Sequence, residues 1–136
     1  MIVVDTNTVA YLYLPSDYTS DVEKLLDVDS HWVAPALWRS EFRNILALYV
    51  RKNLVDLKTA CQMQEQAELV LANNEYQVDS HSVLTLAAES GCSAYDCEFI
   101  SLAKSLNVKL ITADKKLLSS FPSIAINAKN YVSGQA

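Results

Sequence analysis

Four acidic side chains in this chain stand where a shared site would need them. Asp5 closes the run Ile2-Val3-Val4-Asp5-Thr6-Asn7, and Asp114 closes Leu110-Ile111-Thr112-Ala113-Asp114. Glu41 follows Trp38-Arg39-Ser40, and Asp96 follows Ser93-Ala94-Tyr95. An acid that ends an apolar run suits the carboxyl edge of a parallel sheet, where open α/β folds bind their ligands. Carboxylates gathered at one edge repel unless divalent cations sit between them. A donor set of oxygens without His or Cys favours Mg²⁺ or Mn²⁺ over zinc. Two such ions, about 3.5–4 Å apart, activate water and stabilise the leaving oxygen of an in-line phosphoryl displacement. The chemistry expected of Asp5, Glu41, Asp96 and Asp114 as metal ligands and catalytic groups is therefore phosphodiester hydrolysis, with Thr6, Asn7 and Thr112 as supporting hydrogen-bonding groups.

The elements that must carry these acids alternate along the chain. Short segments rich in Val, Ile or aromatics read as strands over 2–5, 31–33, 76–79, 108–112 and 123–127. Helical patterning falls at 8–14, 19–27, 36–51, 56–73, 80–90, 94–106 and 115–120. Strands separated by helices of this length predict βαβ units and a five-stranded parallel sheet covered on both faces. In 36–51, Trp38, Phe42, Ile45 and Tyr49 form a buried stripe, and Glu41 sits at its margin. A carboxylate there costs free energy unless a cation or donors compensate. The 56–73 segment reads as a surface helix without chemistry.

Taken singly, each acid has a structural explanation. Asp5 opens a turn, Asp114 caps a helix, Asp96 belongs to a capping box with Ser93, and Glu41 pairs with Arg39 or Arg43. Taken together, these explanations weaken. Strand ends, and the starts of helices between parallel strands, all fall on one sheet edge.

Composition sets the outer limits. The 136 residues, 51% apolar and 20% charged with two glycines and three prolines, suit one domain of mostly regular structure, expected over 1–130 with a frayed tail at 131–136. The net charge of −5 disfavours a purely electrostatic nucleic-acid binder. Setting aside the four proposed ligands, however, leaves twelve acids against eleven Lys and Arg, a nearly neutral remainder. Cys61, Cys92 and Cys97 lack C-x-x-C spacing and read as reduced, buried thiols. No apolar run approaches the ~20 residues of a membrane helix, and because Met1 runs straight into the strand-like Ile2-Val3-Val4 no signal peptide is expected. The expectation is a cytoplasmic protein.

The quoted motifs, with Ser-Ala-Tyr-Asp and Ile-Thr-Ala-Asp-Lys-Lys-Leu in this order and spacing, resemble the PIN domain family, in particular its bacterial VapC-like toxins. The resemblance runs from residue 1 to about 127. It implies a three-layer α/β/α fold and a Mg²⁺- or Mn²⁺-dependent endoribonuclease that leaves 3′-hydroxyl and 5′-phosphate ends. Its acidic positions map onto Asp5, Glu41, Asp96 and Asp114, and its supporting polar positions onto Asn7 and Thr112. It also implies a homodimer held inactive by a cognate antitoxin. Glu98 is a departure from the usual small or apolar residue; two positions from Asp96 on a helix, it is expected to point away into solvent.

Arg39, Arg43, Lys115 and Lys116 flank the proposed edge as RNA-phosphate contacts, weighed against ordinary solvated charges. Tyr11, Tyr13 and Tyr18 stack bases or, on the simpler reading, pack. Trp32 and Trp38 read as core, and His31 and His81 lack the neighbours a catalytic triad needs. A phosphoryl-accepting signalling domain would want an acidic pair after the first strand, where Thr6 stands instead. Catalytically idle PIN binding modules and housekeeping RNA-processing nucleases are the remaining alternatives.

Overall fold

The computed structural model describes residues 1–134. Five short strands, β1 (Ile2–Val4), β2 (Trp32–Pro35), β3 (Glu75–Tyr76), β4 (Leu110–Ile111) and β5 (Ala125–Ile126), form one all-parallel sheet in the order β3-β2-β1-β4-β5. Register is set on both sides of the central strand. Val3 lies opposite Val33 of β2 and Leu110 of β4, and Val4 opposite Ile111. Strands buried on both faces read as unbroken apolar runs, which is why Ile2-Val3-Val4 shows no alternation.

The helices between them are α1 (Thr6–Tyr13), α2 (Thr19–Val28), α3 (Trp38–Arg51), α4 (Leu57–Val70), α5 (Ser80–Ser90), α6 (Ala94–Leu106), α7 (Lys115–Ser120) and α8 (Ala128–Val132). The chain steps outward from β1 to β2 to β3, then crosses back to β4 and outward to β5. Right-handed crossovers place α1–α4 on one face and α5–α7 on the other. The packing agrees: α1 meets α2 and α3, while α6 lies across β1, β2 and β4 with α5 beside it. This is the expected three-layer α/β/α arrangement. Strand order reverses between β1 and β4, so the crevice at their carboxyl ends is the switch point where such folds bind ligands.

One apolar core joins the two layers. Trp32, Trp38, Phe42, Leu25, Ile100 and the β1 residues are fully buried within it. Phe42 sits with Trp38 and Tyr13 in an aromatic cluster, at ring separations of 6.2 and 6.0 Å. That cluster seats α3 and so positions Glu41, one residue before Phe42.

Several expected boundaries move, for local reasons. Helix α1 begins at Thr6 because Asp5 caps it, and α4 begins after Asp56 for the same reason. The third strand ends at Tyr76 because Asp79 leaves the sheet to cap α5. Pro35 is tolerated in β2 because it is the last strand residue, and the next amide, Ala36 N–H, resumes donation to Tyr76 O at 3.1 Å. The expected tail at 131–136 begins too early. Asn127 caps α8, Tyr131 and Val132 pack on the core, and the Tyr131 hydroxyl reaches Asp29 at 3.2 Å. Gln135 and Ala136 lie outside the described residues. Cys92 and Cys97 are buried as expected, but Cys61 is exposed because α4 turns that side outward. Among the described residues no helix is long and apolar enough to cross a membrane.

Phe42→Ala should lower stability by about 3–5 kcal/mol, the usual result of emptying a fully buried aromatic site. Urea unfolding of the two proteins, with the midpoint shifted down and the slope unchanged, checks this.

Candidate active site at the sheet switch point

Asp5, Glu41, Asp96 and Asp114 line one cavity of about 230 Å³, together with Thr6, Asn7, Asn44 and the apolar Ile45, Phe99 and Leu117. Among the described residues no lysine or arginine lines it. Each acid arrives on a different element. Asp5 ends β1 and caps α1; Glu41 lies in the first turn of α3; Asp96 lies in the first turn of α6; Asp114 caps α7 after β4.

Asp5 is the most constrained. Its Oδ1 accepts from the Thr8 amide at 2.8 Å and the Thr8 hydroxyl at 2.6 Å, and its Oδ2 accepts from the Thr112 hydroxyl at 2.6 Å. These occupy three of roughly four acceptor positions on a carboxylate, leaving one free. Thr112, buried at the end of β4, in turn accepts the Asp114 N–H at 3.0 Å. One hydroxyl therefore sets both Asp5 and the turn that carries Asp114. Buried Thr6 donates to Glu41 Oε1 at 2.7 Å and leaves Oε2 uncommitted. Asp114 Oδ1 accepts the Lys116 and Leu117 amides at 2.8 and 3.0 Å, as a helix cap does.

Capping and site membership thus coexist in the same residues. Among the described residues, no three Asp, Glu, His or Cys side chains are grouped tightly enough to make a finished cation cage. Caps and threonine donors hold Asp5, Glu41 and Asp114 to separate walls of the cavity.

The electrostatics show the strain of this arrangement. Burial lifts the Asp5 carboxyl above its ordinary value; the Thr112 and Thr8 donors pull it back, and Asp96 adds repulsion. Glu41 is raised first by burial, then by Asp96, Asp5 and Glu98, against the Thr6 hydrogen bond. Asp96 is raised by burial and by Asp114, with Ser93 and Lys116 opposing. Like charges this close disfavour full ionisation unless something positive joins them.

Some expected supporting residues behave differently. Asn7 lines the cavity but is exposed, and among the described residues no side-chain hydrogen bond involves it; Thr8 does the orienting instead. Thr8 was legible as the N3 position after an Asp cap. Asn44, also missed, stands one turn after Glu41, on the same helix face. Glu98 is half-buried, its carboxyl is raised by burial, and it repels Glu41, so it does not simply face solvent.

The four candidate RNA cations divide. Arg39 donates to both oxygens of Glu75, at 2.5 and 2.7 Å, and to Glu68 at 2.9 Å, which commits it to β3 and α4. Trp38 Nε1 donates to the same Glu75 at 2.7 Å. Arg43 lines the groove between α3 and α4, with Leu46 and Leu57. Both therefore stand apart from the acids. Lys116 stays beside them, its Nζ donating to Gly91 O at 2.8 Å, and Lys115 lines the neighbouring cavity.

The PIN domain profile matches residues 2–122. The chain belongs to the PIN domain family. Ribonuclease VapC3 of Pyrobaculum aerophilum is 26% identical over an alignment covering 90% of this chain and 96% of that protein. Among solved structures, PAE2754 from Pyrobaculum aerophilum superposes with a TM-score of 0.78 at 21% identity, covering 98% of this chain and 94% of that one. A toxin-antitoxin complex from Klebsiella pneumoniae gives 0.69 at 13% identity, covering 94% and 98%. At these identities the structural likenesses speak for the fold. They agree with the observed PIN-like sheet.

A glutamate whose folded pKa is raised binds its proton more tightly in the folded than in the unfolded state. Stability then falls as pH rises from the ordinary value of 4.5 through the raised folded value. In divalent-free buffer, Glu41→Gln should be more stable than wild type at pH 7, with the difference vanishing below pH 4.5. Thermal melts of both proteins across pH 4–8 measure it, and a pH-independent difference would contradict the raised carboxyl.

Proposed function

We propose that this PIN domain is an endoribonuclease that hydrolyses RNA phosphodiester bonds with two divalent ions, Mg²⁺ or Mn²⁺, and serves as the toxin of a toxin–antitoxin pair. The observation that carries the reading is the single cavity at the β1/β4 switch point, lined by Asp5, Glu41, Asp96 and Asp114 and by no cationic side chain. The ribonuclease name of the VapC3 relative supports the substrate class.

The donor set fits hard cations. All four groups are oxygen ligands, three of them are held above their ordinary pKa by burial and by one another, and a cation would relieve that repulsion. Asp5, Asp96 and Asp114 would hold the ions, with Glu41 a further ligand or water-orienting group. When bound, such ions neutralise the phosphate and raise the nucleophilicity of water. Thr112 and Thr8 aim Asp5 by donating to it, and those hydrogen bonds oppose the rise that burial imposes. Glu41, with Oε1 fixed by Thr6, would orient the attacking water or take up its proton through Oε2. Lys115 and Lys116 are the cations placed to meet flanking phosphates.

The partner reading is a cognate antitoxin and a second copy of the chain, in the cytoplasm. The toxin-antitoxin complex with this fold supports it. So does the apolar groove between α3 and α4, lined by Leu46, Ala47, Val50, Leu57 and Ala60, which offers room for an apolar partner segment.

Purified protein should cleave single-stranded RNA with Mg²⁺ or Mn²⁺ and lose activity on chelation. Asp96→Asn should reduce the rate by at least about 100-fold, on the scale expected for loss of electrostatic stabilisation. Equal cleavage by wild type and Asp96→Asn, or none by either, overturns the assignment. Thr112→Val should weaken Mn²⁺ binding by about 10–100-fold while leaving all four carboxylates in place. Isothermal titration with Mn²⁺ reads this directly.

A further inference from the structure

Beside the acidic cavity the structure holds a pair of tyrosines that the hydrolytic chemistry does not use. Tyr11 and Tyr18 stack with ring centroids 5.0 Å apart and planes 29° from parallel. They wall a small cavity of about 140 Å³ whose other sides are Asp5, Asn7, Ala113 and Asp114. The same two rings also wall a larger cavity of about 270 Å³ that reaches Lys115 and Lys129. The stack therefore stands between two proposed metal-binding acids and a pair of lysines.

Its geometry is built rather than incidental. The Thr19 hydroxyl donates to Tyr11 O at 2.7 Å and accepts from Ser16 N–H at 3.0 Å, while Tyr18 N–H donates to the Ser16 hydroxyl at 3.0 Å. This network locks the α1–α2 connection that sets the two rings together. Tyr11 is half-buried and backs the stack. Tyr18 is 48% exposed and lines both cavities, so about half of its surface is accessible to a ligand there. Tyr11 and Asp5 wall the same small cavity, and burial and then the Asp5 charge raise the Tyr11 hydroxyl.

Resting on the nuclease reading above, we infer that the Tyr11–Tyr18 stack is a platform for one unpaired nucleobase of the RNA strand, next to the scissile phosphate. The ring face supplies stacking, which accepts any base. Lys115 and Lys129 are placed to meet the phosphates on the far side, and the acids with their ions hold the phosphate on the near side. A base within a duplex has no free face, so the platform selects single-stranded RNA or an extruded nucleotide.

The test separates binding from cleavage. On an Asp5→Asn background, binding of a ten-nucleotide oligouridylate with a single 2-aminopurine is followed by fluorescence as the reporter is moved along the strand. Quenching at one or two adjacent positions is expected. Tyr18→Ala should remove that quenching and weaken binding by about 5- to 150-fold, the range for loss of one base–aromatic stack. Tyr18→Phe, which keeps the ring, should restore both, and circular dichroism melts confirm that each variant folds. Equal affinity of Tyr18→Ala and its parent, quenching at no defined position, or no measurable binding by the parent overturns the platform. A wild-type protein that binds the oligonucleotide with position-specific quenching yet never cleaves RNA overturns the nuclease reading alone.

Discussion

The hydrogen bond from the Thr112 hydroxyl to Asp5 ties the site together across the switch point. It spans the carboxyl ends of β1 and β4, adjacent strands whose following helices lie on opposite faces. Asp5 simultaneously caps α1, and Thr112 simultaneously receives the amide of Asp114. A single part-buried contact thus ties together the start of the first helix, the end of the fourth strand and the placement of two acids. Removing the hydroxyl would take from the half-buried Asp5 Oδ2 its one protein donor among the described residues.

Around that contact the protein accepts an electrostatic cost. Asp5, Glu41 and Asp96 all sit above their ordinary pKa values because burial and mutual repulsion disfavour their charges. The two nearby arginines point elsewhere, Arg39 committed to Glu75 and Glu68 and Arg43 lining a different groove, which leaves Lys116 as a partial counter-charge to Asp96. A cavity kept free of basic side chains retains its negative potential for whatever cation enters. This also accounts for the acidic net charge, since the unbalanced carboxylates are concentrated at one place rather than spread over the surface.

The legible parts of the fold were those dictated by local rules. Continuous apolar runs read as buried parallel strands, and Asp and Ser caps mark helix starts. The placement of Asp5 and Asp114 after strands, and of Asp96 and Glu41 early in helices, was enough to bring all four to one edge. What local rules missed was competition for partners. Arg39 looked free to meet phosphate until β3 brought Glu75 against it. Glu98 looked solvated by helical phase alone, because its burial depends on the neighbouring elements. Helix α8 escaped notice because five residues carry little periodicity of their own; Asn127 starts it, and packing against α2 holds it.

The sequence by itself determined the four acids, the alternation of strands and helices as far as β5, and the sheet edge at which the acids collect, because each follows from residue type and short-range spacing. Only the tertiary structure decided which hydroxyl orients which carboxylate, which arginines are withdrawn into ion pairs, and that Tyr11 and Tyr18 stack beside Asp5 and Asp114. Those are contacts between residues distant in sequence or across a loop. Their geometry depends on how the layers close, which no local pattern of residues encodes.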